Sequence, residues 1–297
     1  MLNFTLKWKI TNADEQKMIR DFLKEKGISK TALTDIKFKG GHIFVNGKEE
    51  TVRYLLKIRD ELKVEFPKEN PSDSLKGEDT PLHILYEDDY VLVVNKQAGM
   101  STIPSREHPS GSLANAIIGY YQKINLAATA HIVTRLDRDT SGLVLIAKHR
   151  HVHHLFSEQQ KIREIKRVYE ALSSGNLPED SGIIKEPIAR KTDSIIEREV
   201  NPNGQYASTR FNVIQRYHAF TLLQLQLETG RTHQIRVHLA YLGHPLLGDD
   251  LYGGQMDHIN RQALHCCMLE FYHPFIEKKL TFTQGMPEDM SRLTKQF

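Results

Sequence analysis

Residues 67–81, "PKENPSDSLKGEDTP", constrain the fold more than any other stretch. They contain three prolines, one glycine, many charges and almost nothing apolar. Such a composition cannot pack a core and reads as a linker. The expected organisation is therefore a small unit over 1–66, a linker over 67–81 and a larger unit over 82–297. A chain of 297 residues with 39% hydrophobic and 26% charged residues has enough apolar material for two unequal domains.

In the first unit, "EQKMIRDFLKEKG" carries Met18, Ile19, Phe22 and Leu23 at helical spacing and stops at Gly27. "SKTALTDIKFKGG" predicts a second short helix, with Ser29 as its cap and Leu33 and Ile36 inward. "HIFVNGKEE" predicts a strand and an Asn46-Gly47 hairpin turn, and "ELKVEF" alternates as a further strand. Charge is uneven along the chain. Residues 1–66 hold 14 Lys/Arg against 10 Asp/Glu, an excess of four, whereas the whole chain carries +3. This unit resembles the alpha-L RNA-binding domain. The resemblance covers about residues 12–66 and implies that Lys30, Lys37 and Lys39 face RNA phosphate, giving affinity rather than sequence choice. A small fold with merely solvated lysines is the competing reading.

The second unit mixes strands with helices. "YVLVVNK" and "SGLVLIAK" read as buried strands. "VYEALSSG", "TRFNVIQRY" and "FTLLQLQLETG" read as strands of an antiparallel sheet. "HHLFSEQQKIRE" and "RTHQIRVHLAYLG" read as helices, the latter with Thr232 as cap, an inner face of Ile235, Leu239 and Leu242, and an end at Gly243. Without regular βαβ alternation, the order predicts an α+β fold with a mixed, largely antiparallel sheet.

The densest charge lies in "TRLDRDTSG", just before an apolar strand. Asp139, Thr140, Ser141 and Gly142 read as a turn whose side chains bond back to the backbone, leaving Asp137 to point outward. A neighbouring arginine favours an ionised carboxylate, and an ionised, positioned aspartate can act as nucleophile or electrostatic stabiliser. A salt-bridged turn that only caps the strand fits the residues equally well.

"TRLDRDTSGLVLIAK" closely resembles the defining motif of the RluA-type pseudouridine synthases, with Thr134 where that family commonly has His. "YEDDYVLVVNKQAGMSTIPS" resembles its first motif, with Gln97 where Pro is usual. "KRVYEAL" and "LETGRTHQIRVHLAYLGHPLLGDDLYG" match two further motifs in order, over about residues 82–285. The resemblance implies an isomerase that breaks the bond from uracil nitrogen 1 to ribose and rejoins the base through carbon 5. It makes Asp137 the essential residue and Arg231 its ion-pair partner. Tyr169 becomes a platform for the base and a hydroxyl for proton relay. Arg135 would fill the gap left by a flipped nucleotide, with Arg138 beside it. Read without the family, Arg231 is an arginine at a helix entry and Tyr169 a core or edge residue.

No phosphate-cradling glycine loop occurs, and the reaction consumes nothing, so no cofactor is expected. "HRHVHH" and "THQIRVH" lack metal-site spacing; no metal is expected, and the first is read as a polar helix start near RNA. Cys266 and Cys267 read as reduced core filler. No apolar run suits a bilayer and no signal core opens the chain, so the expected location is cytoplasmic. The expected partner is structured RNA, ribosomal before transfer RNA, bound by a monomer. The rival is a catalytically inactive, ribosome-associated binding factor on the same fold.

Overall fold

The computed structural model describes residues 4–69, 75–105 and 108–296. The chain opens with β1 (Thr5–Lys9), α1 (Ile19–Glu25) and α2 (Lys30–Phe38), followed by β2 (His42–Val45), β3 (Lys48–Glu49) and β4 (Glu61–Glu65). The Ser29 Oγ accepts from the Ala32 amide at 3.1 Å and starts α2. Asn46 and Gly47 both adopt positive φ, the conformation a two-residue hairpin of this hand needs. The strands form an antiparallel sheet in the order β1-β4-β2-β3. Leu6, Ile43, Val45, Leu62 and Val64 line one face and bury Ile19, Phe22, Leu23 and Ile36 of the helices. Strand β1 was absent from the sequence reading, although Leu6 and Trp8 alternate there with Lys7 and Lys9 as a one-faced strand requires.

The larger unit contains β5 (Ile84–Glu87), β6 (Val91–Lys96), α3 (Leu113–Lys123), β7 (His131–Ile132), β8 (Ser141–Ala147) and α4 (Arg150–Lys161). It continues with β9 (Lys166–Ser174), β10 (Ser181–Ile184), β11 (Ile188–Arg190), β12 (Arg198–Val200), β13 (Thr209–Arg216) and β14 (Phe220–Leu227). Helix α5 (Gln234–Tyr241), β15 (Leu264–His273), β16 (Lys278–Thr283) and α6 (Glu288–Gln296) complete it. Ten strands form one sheet, in the order β10-β13-β14-β9-β15-β8-β6-β5, with β16 on β15 and β7 on β8. Among the described residues only the β15–β8 pair is parallel. The fold is α+β with a largely antiparallel sheet. Every residue of β8 is buried. Such an unbroken apolar run belongs to a strand covered on both faces, and Ile117, Tyr121, Val152 and Phe156 from α3 and α4 join its core.

The segment expected to be a linker does more than tether. Residues 70–74 lie outside the described residues, but both flanks are pinned. Glu69 is buried between His131 at 2.5 Å and His149 at 3.1 Å, and accepts from the Arg150 amide. Lys76 and Glu78 bond to Asn115 of α3. Polar pairing holds what apolar packing could not, which explains why composition suggested a free linker.

The histidine-rich start of α4 is likewise buried rather than facing solvent. His149 stacks on Phe4 at 4.1 Å, and His151 stacks on Phe66 at 5.3 Å. Arg150 joins Asp35 of α2 at 2.8 Å. These contacts bind the first unit to the larger one. No helix among the described residues is long and apolar enough to cross a membrane.

Candidate active site

The segment between Thr134 and Ser141 is clamped at nearly every residue. The buried Thr134 turns its hydroxyl inward to accept from the Leu145 amide at 2.9 Å. The position where the family commonly has His therefore serves the loop, not the cleft. Thr102 Oγ1 donates to the Leu136 carbonyl at 2.6 Å and accepts from its amide. Lys96, only 1% exposed, donates to the carbonyls of Gln97, Met100 and Arg138. Those three acceptors match the three N–H bonds of an ammonium. Burial pulls the Lys96 pKa down to about 7, against the raising influence of Asp137 and Asp139. Arg261 holds the Asp139 carbonyl, and Ser141 Oγ pairs with His265. Gly142 follows at φ 117°, where a Cβ would stand 2.3 Å from the Cys266 carbonyl oxygen.

With its backbone fixed, Asp137 projects into a cleft of about 720 Å³. Arg135, Arg138, Arg163, Arg167, Arg231 and Arg236 all reach its lining, which gives the cleft the electrostatics of a polyanion site. Arg236 of α5 approaches Asp137 Oδ2 at 3.6 Å. Behind it, the buried Asp249 accepts two hydrogen bonds from Arg236, at 2.7 and 2.8 Å. Burial works against the Arg236 charge, but Asp249 and then Asp137 outweigh it and raise its pKa. The guanidinium lies 4.9 Å over the Tyr252 ring.

This corrects one expected pairing: the arginine that meets Asp137 is Arg236, not Arg231. Arg231 stands at the exposed mouth, where its Nε donates to the Tyr206 carbonyl at 3.0 Å. The reason is where the helix starts. Thr232 does not cap α5; His233 occupies the N-cap in a left-handed conformation, and the helix begins at Gln234. The first turns of α5 are buried on all sides, so Arg236 turns inward to Asp249 and Asp137, and Leu242 is left exposed. Arg236 sits where an amphipathic reading expects a solvated charge. A sequence signal did exist, because an arginine beside Ile235 and Val237 needs a buried carboxylate, and "GDD" supplies one.

Tyr169 lies on β9 and is 3% exposed. Burial pushes its hydroxyl well above its ordinary value, and the nearby Arg167 guanidinium opposes this. Arg167 Nη1 donates to the Tyr169 oxygen at 3.5 Å. Gly230 leaves room for that arginine, since a Cβ there would stand 2.9 Å from Arg167 Nη2. Arg135 and Arg138 are both exposed on the loop, and Arg138 Nε donates to the Gly99 carbonyl.

The lysines expected to meet RNA are far along the chain from this cleft and line no part of it. Lys30 and Lys37 are exposed on α2, and Lys37 covers the ring of Phe38, itself 73% exposed. Lys39 pairs with Asp35 at 2.9 Å. Among the described residues no cluster of three His, Cys, Asp or Glu side chains is arranged to hold a metal.

A ten-stranded mixed sheet carrying an aspartate loop at an arginine-lined cleft defines a class, and comparison with known proteins names it. The model of the RNA pseudouridylate synthase family matches residues 90–241. The chain belongs to that family and is an isomerase acting on uridine in RNA. YjbO, an uncharacterized RNA pseudouridine synthase of Bacillus subtilis (strain 168), is 53% identical over 277 residues, 93% of this chain and 98% of the relative. Ribosomal large subunit pseudouridine synthase D of Yersinia pestis is 40% identical over 230 residues, 73% of this chain and 70% of the relative. Human RNA Pseudouridylate Synthase Domain Containing 1 shares the fold at a TM-score of 0.59 and 22% identity, over 74% of this chain and 96% of that one.

Proposed function

We propose that this enzyme converts a uridine of large-subunit ribosomal RNA to pseudouridine, with Asp137 as the reacting carboxylate. The observation that carries the reading is the placement of Asp137. It is one carboxylate, fixed by a clamped loop, paired with a buried arginine and open to a cationic cleft. The base cannot be reached inside a helix, so the nucleotide turns out into the cleft at a cost of about a few kcal/mol. Arg135, exposed at the rim, stacks in the gap it leaves.

In the reaction the glycosidic bond breaks, the uracil turns and carbon 5 bonds to the ribose. The carbon 5 proton leaves, and nitrogen 1 gains one. Nothing is oxidised and no group is lost. Asp137 meets the developing charge on the sugar. The Tyr169 ring supports the base while its hydroxyl, beside Arg167, relays the proton. Arg236 pairs with the Asp137 carboxylate and holds it in place. Arg231 and Arg138 hold phosphate at the mouth.

The first unit, over 1–66, is the proposed docking module for RNA. Its exposed pair of Lys37 and Phe38, with Lys30 on the same helix, combines a charge for phosphate with a ring for a base. Lys39 is committed to Asp35 and contributes less. The ribosomal choice rests on relatives named for the large subunit, and on a basic excess suited to a large polyanion. A monomer working in the cytoplasm is the simplest form of this reading.

The test uses ribosomal RNA from a strain lacking the gene, with transfer RNA in parallel, and maps pseudouridine by carbodiimide labelling. The reading predicts a restored site in large-subunit RNA. A restored site only in transfer RNA contradicts the substrate assignment, and no site in either contradicts the reading as a whole.

A further inference from the structure

His233 holds an expensive backbone conformation at the N-cap of α5. Its φ of 56° and ψ of 19° lie in the left-handed region, where residues with a Cβ persist only when their surroundings hold them. It stands at the start of α5, yet its side chain caps nothing. Instead the ring turns into the cleft wall. Nδ1 lies 2.8 Å from the Tyr252 hydroxyl, and Nε2 faces Asp137 Oδ2 at 4.0 Å.

The hydrogen-bond network favours one tautomer. The Tyr252 oxygen already accepts from the Arg198 amide at 2.9 Å, which leaves its O–H to donate to His233 Nδ1 at 2.8 Å. Burial takes the Tyr252 pKa up to about 12 and keeps that proton in place. An imidazole that accepts at Nδ1 carries its proton at Nε2. Five groups face it: Asp137, Arg236, Arg198, Asp249 and Tyr252. Burial lowers the His233 pKa most, with Arg236 and Arg198 adding to this and the two aspartates opposing it.

Arg236 and His233 approach the same carboxylate oxygen, Oδ2. We propose that His233 is a positioning residue for Asp137. It is a neutral imidazole whose Nε2–H faces Oδ2, with its tautomer fixed by Tyr252, so that Oδ1 is the oxygen presented to the nucleotide. The proposal rests on reading Asp137 as the reacting carboxylate.

Two measurements on the full chain test it. Long-range proton–nitrogen spectra of the histidine rings, assigned by loss of one signal in His233→Asn, report the tautomer without any turnover. The expected result at pH 7 is Nε2–H, and Tyr252→Phe shifts it toward a mixture. A neutral Nδ1–H ring or an imidazolium overturns the proposal. Turnover then separates positioning from substrate contact. His233→Gly keeps the backbone conformation and removes the ring. It is expected to lower kcat about 10- to 100-fold with KM within about twofold. His233→Asn tolerates positive φ and restores an N–H donor, and is expected to recover part of that loss. A kcat for His233→Gly within twofold of the parent overturns the proposal, as does a loss confined to KM. A parent protein that makes no pseudouridine refutes the activity reading instead, and the spectra still decide the tautomer.

Discussion

At the scale of single residues, the arrangement around Asp137 separates two arginines that look alike in sequence. Arg236 makes a bidentate bond with a buried aspartate and touches Asp137, whereas Arg231 bonds a carbonyl at the mouth. A lysine cannot reproduce a bidentate fork. Arg236→Lys is therefore expected to lower kcat about a hundredfold, while Arg231→Gln raises KM severalfold and leaves kcat within about threefold. Steady-state kinetics on one RNA substrate reads both. Lys96 supplies a second contrast, because it holds three carbonyls around the loop without lining the cleft. Lys96→Met removes a whole set of buried partners, so the loop loses its position. The expected loss is about a hundredfold in kcat, with about 3 kcal/mol of stability in denaturant unfolding. A variant as active as the parent contradicts the clamp.

At the scale of elements, β8 explains why the charged Asp137 loop sits beside an apolar strand. Its buried run anchors one end of the loop, and its pairing with β15 lets Gly142 pass within contact of Cys266. Any side chain there meets backbone, and the φ of 117° is itself unfavourable for other residues. Gly142→Ala is expected to cost about 3 kcal/mol, read as a lower midpoint in denaturant. Such elements were legible because local chemistry and tertiary role agree. The apolar run of β8, the Ser29 cap and the Asn46-Gly47 turn each name their own structure. Asp137 and Tyr169 were singled out for the same site because their motifs carry a resemblance. Arg236, His233 and Lys96 were not legible in this way. Each is a charged or polar residue drawn inward by contacts from segments distant in the chain, and periodicity treats such residues as solvated.

At the scale of the whole molecule, the two units meet through an acid–base cluster whose chemistry predicts the pH response. Burial takes the His149 pKa from 6.5 to about 4 and the His151 pKa to about 3. Burial also works to raise Glu69, but the bond from His131 and the charges of His149 and His131 outweigh it and bring Glu69 from 4.5 to about 2. All three groups are depressed, so the unfolded chain binds protons that the folded chain does not. Their stabilising contribution is complete above about pH 6.5 and is lost as pH falls, first through the histidines and then through Glu69. For His149 alone the loss approaches about 3 kcal/mol. Thermal unfolding between pH 7 and 4 is expected to show a steady fall in Tm. Among the described residues His151 has no hydrogen-bond partner on either ring nitrogen, so His151→Phe is expected to keep or raise Tm at pH 7 and to flatten part of the acid slope. An unchanged slope would contradict the assignment of the interface. This cluster also shows why the boundary between the units was only half legible: composition identifies a polar segment, but not which of its charges another unit will bury.

The proposed reaction depends on the Asp137 carboxylate, and one measurement addresses it directly. The parent protein and Asp137→Asn are each incubated with ribosomal RNA lacking the modification, and pseudouridine is quantified at the restored site alongside RNA affinity. The expected result is a site made by the parent and lost by more than about a thousandfold in the variant, with affinity and Tm close to the parent's. A variant that restores the site at a rate near the parent's would contradict the account.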